Sequence, residues 1–242
     1  MLISLACLCA LLSVPASSQI TLQAGGGLGF VVASGDNSGS TTDFYNGSKY
    51  GFSNGWMAFA KMRGGIAAFT MLVEVDYVSF SAKGDAEPGQ GSINTSQKII
   101  SFKTGPEYSL VSVPMAPIKP YLGLNFQLNS FSGEAEFNGT ARVPSATYSI
   151  AKTSRVGIGA EIGTLVAIAG YNLDFNISYN FMNLWGREFT SIQATNPRRS
   201  DSYLGLNDAS DPLYRTGDTV HFIGENRAIH TLMFTASFLF GL

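Results

Sequence analysis

The 242-residue sequence is 45% apolar and only 13% charged, with a formal net charge of −2. Soluble domains usually carry about a quarter charged residues, yet beyond residue 18 no stretch is apolar for the roughly 20 residues that a membrane helix needs. No basic cluster exceeds Arg198–Arg199, which excludes nucleic acid as a partner.

Residues 1–18 carry no charged side chain and run from a short apolar core through Pro15 to small residues. That is the pattern of a secretory signal, with cleavage near Ala16 or Ser18 and a single domain over 19–242. Both cysteines, Cys7 and Cys9, lie inside it. The remainder offers no disulfide and no cysteine metal site. His221 and His230 lack metal-ligand spacing, so neither a metal nor another cofactor is expected.

From residue 20 onward the chain alternates with period two, the mark of strands with two unlike faces. Residues 20–34 put Leu22, Ala24, Leu28, Phe30 and Val32 on one face and Gly25, Gly27 and Gly29 on the other. Residues 35–50, rich in Gly, Ser, Asn and Thr, read as a loop. A second strand is expected over 52–62, with Trp56 at a membrane interface and Arg63-Gly64-Gly65 as a tight turn. The third, 69–81, sets Met71, Val73, Val75 and Tyr77 against Glu74 and Asp76. After a polar loop over 83–97, residues 98–111 set Ile100 and Phe102 against Ser101, Lys103 and Glu107. A proline turn leads to 120–132. A second polar loop, 134–153, precedes 155–167, where Val156, Ile158 and Ile162 oppose Arg155 and Glu161. Residues 172–185 set Leu173, Phe175 and Ile177 against Asn172, Asp174 and Asn176. A long polar stretch, 186–227, then separates these strands from the last.

Residues 230–242 alternate Leu232, Phe234, Ala236, Phe238 and Phe240 with Thr231, Met233, Thr235 and Ser237. An aromatic-rich strand here resembles the closing strand of bacterial outer-membrane β-barrels. Long and short connections alternate along the chain, as they do in those barrels. The pattern is similar to the small outer-membrane barrel-domain family that includes the OmpA- and OmpX-like proteins. The resemblance implies an all-β fold: a closed antiparallel up-and-down transmembrane barrel of eight strands. It also implies outer-membrane lipid as surroundings, and the barrel-assembly machinery as a partner of the C-terminal strand.

In that arrangement the polar faces point inward. Glu74, Asp76, Lys103, Glu107, Arg155, Glu161 and Asp174 then form an interior ion-pair network, because an eight-stranded barrel is filled by side chains and charges there must be paired. Lys103 and Arg155 are each expected within salt-bridge reach of one of the five acids. The function expected is structural or surface-interactive, with the 186–227 stretch outside the cell as the place for a cell-surface ligand. The alternatives are a small cation-preferring pore, a lipid-modifying enzyme using His230 with Ser237 and Glu225, and a soluble lipocalin-like carrier with its faces reversed. No catalytic residue is assigned. Glu74 and Asp76 share a face, but no nucleophile accompanies them.

Overall fold

The computed structural model describes residues 20–45, 49–111, 116–141, 143–168, 170–184 and 228–241. The expected signal over 1–18 and the expected binding loop over 186–227 lie outside the described residues. Eight strands close a barrel in sequence order, every neighbour antiparallel. They are β1 (Ile20–Gly35), β2 (Asn54–Ile66), β3 (Phe69–Glu87), β4 (Gln90–Ser109), β5 (Ile118–Asn138), β6 (Ala146–Ile168), β7 (Tyr171–Phe181) and β8 (Ile229–Gly241). One short helix, α1 (Thr41–Tyr45), lies between β1 and β2. The barrel closes through β1 and β8, in register from Gln23 opposite Gly241 to Gly35 opposite Ile229.

The outer wall is apolar on every strand. Leu28, Met62, Val75, Phe102, Leu124, Ile162, Phe175 and Phe238 all stand exposed, Leu28 by as much as 68%. Between them the alternate residues are buried in the lumen, and in the lower barrel most of these are polar or charged. A soluble carrier needs the opposite assignment, so the lipocalin-like arrangement is excluded. Aromatic pairs mark both rims of the belt. Phe69 lies 5.1 Å from Tyr108 and Tyr171 lies 5.4 Å from Phe240 at the end with short turns. Trp56 lies 5.5 Å from Tyr77 at the end with long connections.

Three boundaries differ from those expected. Residues 63–65 are not a turn: β2 runs on to Ile66, and the reversal falls at Ala67, whose φ is 56°. Gly65 marks a close approach instead, since a Cβ there would stand 2.1 Å from the Phe69 carbonyl oxygen. The loops expected over 83–97 and 134–153 are largely strand. β3 and β4 meet at Pro88–Gly89, β5 continues to Asn138 and β6 begins at Ala146. Their composition is polar because the outward residues there meet water, while Ala86, Ile93, Ala135 and Phe137 are buried on the inner side. β3 to β6 therefore hold 19, 20, 21 and 23 residues. Crossing a membrane takes about 9–11, so these four strands rise well past it as a sheet.

The inner face of β1 is glycine where it meets β8. A Cβ on Gly27 would come within 2.6 Å of the Ser237 Cβ and 2.7 Å of the Phe59 ring. Gly27→Val is expected to block closure and abolish the mobility difference between unboiled and boiled protein on a gel. Gly241→Val, where no atom lies within 4 Å, is expected to keep it. Equal mobility differences for both would mean the seam tolerates bulk.

Candidate functional site

The lumen is layered. Climbing the inner face of β3 from the short-turn end, one meets Leu72, then Glu74 and Asp76, then Val78 and Phe80, all buried. The charged layer is one connected network. The Lys103 ammonium lies 3.2 Å from Glu74 and 2.6 Å from Asp76. Its Nζ also approaches the Met233 sulfur at 3.6 Å. Lys61 lies 2.5 Å from Asp174 and 3.7 Å from Glu74. Tyr121 donates its hydroxyl hydrogen to Asp174 at 2.8 Å, and Asn176 bridges the Tyr121 hydroxyl and Glu161. Arg63 pairs with Glu107 at 2.5 Å and lies over the Tyr121 ring. Strands β2 to β7 all contribute. Burial of so many charges is tolerable only because each finds a partner in a low-dielectric interior.

Two of these cations, Lys61 and Arg63, are absent from the set expected from sequence. Their parity on β2 with the buried Met57 and Phe59 is the signal that finds them. Reading 63–65 as a turn hid Arg63. The expectation for Arg155 needs correction. It sits higher on β6, where its guanidinium donates to the Thr153 hydroxyl and, at 2.7 Å, to the Ser154 carbonyl. The ion pairs among the described residues join four of the five acids, Glu74, Asp76, Glu107 and Asp174, to Lys61, Arg63 and Lys103 rather than to Arg155, while Glu161 accepts from Asn176. The reason is height. Arg155 pairs across β5 with Asn129, two residues above the Gln127 that faces Lys103. At that level the lumen holds amides: Gln127 donates to Asn125 at 2.6 Å and to Asn180 at 2.5 Å, and Asn129 donates to the Met182 carbonyl at 2.8 Å.

Above the amides the lumen is mostly apolar, with Gln97 and Thr95 as buried polar exceptions on β4. Val31, Met57, Val78, Ile99, Phe131 and Met233 join a core that continues inside the raised sheet. The α1 segment lies against that sheet. Phe44 stacks on Phe137 with ring centres 6.2 Å apart, Phe52 meets Phe80 at 5.6 Å, and Tyr148 meets Phe137 edge-on at 5.8 Å. Thr41 donates to the Asp85 carbonyl at 2.9 Å. The helix starts on a reciprocal cap, with Ser40 donating its N–H and hydroxyl to Asp43 and Asp43 donating its N–H back to the Ser40 oxygen. The Ser40 N–H, more than any other group, holds the Asp43 carboxyl below its usual range.

The residues of the enzyme alternative are not brought together. His230 faces outward, its Nδ1 3.0 Å from the Tyr179 hydroxyl and its ring 4.5 Å from Phe181. Ser237 faces the lumen and is buried. Seven positions on one strand put them on opposite sides of the wall. Glu225 lies outside the described residues. Among the described residues no cluster of His, Cys, Asp or Glu is arranged to hold a metal.

No family model matches the sequence, and no curated protein does. Among solved structures the chain is similar to Neisserial surface protein A (15% identity, covering 93% of this chain and 98% of that one, TM-score 0.47). It is similar to the outer membrane protein OprG from Pseudomonas aeruginosa (9%, 93% and 97%, TM-score 0.49). It is also similar to Ail, the attachment invasion locus protein of Yersinia pestis, in complex with the heparin analogue sucrose octasulfate (12%, 92% and 99%, TM-score 0.37). The decisive observation is the wall itself, closed, lipid-matched outside and polar within. The chain is a membrane-spanning β-barrel. The raised sheet has a further property. β7 pairs with β6 only from Ile158 down to Ile168, so the upper part of β6, from Ala146 to Arg155, pairs with β5 on one side and with no described strand on the other.

Proposed function

We propose that this protein is a bacterial outer-membrane barrel whose lumen is closed and whose work is done at the surface, by the sheet that β3–β6 raise beyond the membrane. The single observation that carries the reading is the layered lumen. An ion-paired layer, an amide layer and an aromatic layer follow one another along the axis, so packed side chains occupy the lumen at each of these levels. A filled barrel acts as an anchor, and what it anchors is the raised sheet, whose β6 edge from Ala146 to Arg155 meets no further strand among the described residues. In this reading residues 186–227 belong to the same exposed surface, and residues 1–18 direct the chain to export.

The test uses an epitope inserted between Pro88 and Gly89 in the full chain. Antibody is expected to label intact cells, and purified protein in planar bilayers is expected to show no steady conductance steps. Labelling only after permeabilisation would place the sheet on the wrong side. Stable cation-selective steps would restore the pore alternative.

A further inference from the structure

At the rim of the belt nearest the raised sheet, the wall is divided. β2, β3, β7 and β8 present Trp56, Tyr77, Tyr179 and His230, the aromatic residues usual at a membrane interface. β4, β5 and β6 instead end their apolar rows at Ile100, Leu128 and Val156, and the next outward residues are lysines and serines. Lys98 stands between Ser79 on β3 and Ser132 on β5. Ser130 pairs with Ser154 just below. The β5–β6 register shifts between Phe131 and Gly133, whose partners are Thr153 and Ile150. Two residues of β6, Ala151 and Lys152, thus stand opposite the single residue Ser132, which is a bulge, and Lys152 keeps the outward side of Ser154. Lys98 and Lys152 therefore flank β5, about 10 Å apart at the backbone by strand spacing. Neither enters an ion pair among the described residues, and both are exposed. Among the described residues the nearest outward acid on β5, Glu134, lies one pleat further from the membrane, opposite Ser96. Directly below, a surface groove of about 270 Å³ runs between β5 and β6, with Leu128 and Val156 at one end and Ser130 and Ser154 at the other.

We propose that Lys98 and Lys152, with the hydroxyls of Ser130, Ser132 and Ser154 between them, hold the phosphate of an anionic lipid headgroup, its first chain carbons lying in the groove below. The ligand is a lipid rather than a free anion because the site is continuous with the lipid-facing wall. Basic side chains at the headgroup level attract anionic lipid, and the low-dielectric groove beneath strengthens the attraction. The proposal rests on the membrane reading above.

Native mass spectrometry of the full chain, released from neutral detergent after mixing with bisphosphorylated lipid A, provides the test. Wild type is expected to retain one lipid. The double variant Lys98→Ala, Lys152→Ala is expected to bind at least tenfold more weakly. Lys83→Ala, further out on β3, and the charge-preserving Lys98→Arg, Lys152→Arg are expected to bind as wild type does. Dephosphorylated lipid is expected to bind at least tenfold more weakly to wild type. Unchanged retention by the alanine pair, or equal retention of dephosphorylated lipid, would overturn the proposal. Full competition by millimolar inorganic phosphate would overturn the lipid as its source. Each variant is first shown to keep its heat-dependent gel shift, so failure of the headgroup site is distinct from failure of the membrane reading, in which wild type itself would not insert.

Discussion

Replacing Lys103 with alanine is expected to lower the unfolding free energy by about 3–5 kcal/mol, the range for removing one partner of a buried ion pair. Lys103 is the sole cation within 4.0 Å of Asp76 among the described residues, and it shares Glu74 with Lys61. Its loss strands a carboxylate that is 1% exposed. Urea titration in lipid vesicles, followed by Trp fluorescence or gel shift, measures the effect. A triple variant, Lys103→Met with Glu74→Gln and Asp76→Asn, is expected to recover most of the loss, because neutral groups of similar volume remove the stranded charge along with the pair. A change below about 1 kcal/mol in the alanine variant would mean that the layer is solvated like a surface.

Phe137→Ala is expected to cost a comparable amount, about 3–5 kcal/mol, but at a different place. The ring is buried against Phe44, Tyr45 and Tyr148, in the part of the sheet beyond the membrane. Backbone pairing in the belt does not depend on it. The expected result is faster amide exchange and faster proteolysis across residues 36–53 with the heat-dependent gel shift retained. Loss of the gel shift itself would show that the outer core and the barrel unfold as one unit.

The membrane part of this fold is legible because lipid outside and polar groups inside impose one rule on alternate residues. Phe234, Phe238 and Phe240 against Ser237 on β8, or Phe175 and Ile177 against Asp174 and Asn176 on β7, can be read directly. Beyond the membrane the rule inverts. Ile93, Ala135 and Phe137 point inward, while Asn94, Glu134 and Glu136 meet water. A chain scanned for lipid-facing residues therefore reads the upper strands as loop. The charged layer was legible in its acids, whose strands alternate cleanly, and less so in its cations. Lys61 lies in the apolar run from Met57 to Met62 on β2, and Arg63 precedes two glycines that mimic a turn. Five inward acids facing two expected cations was itself a sign that more positive charge had to be found. Arg155 shares the inward parity, but parity carries no height, and height decides its partners.

The glycine seam has a consequence for how the barrel comes into being. Seven of the eight pairings join strands that follow one another in the chain, so each can form from a local hairpin. The eighth joins β1 to β8 and is the one contact that must span nearly the whole sequence. Closing such a distant contact is the slow event in a folding route rich in local ones, and until it happens two raw edges face lipid, where an unpaired backbone is costly. With Gly25, Gly27 and Gly29 on the inner face of β1, the incoming edge has no lumen side chains to thread past Ser237 and Phe59. The last strand can then zip against the first without reopening the charged layer already assembled by β2 to β7.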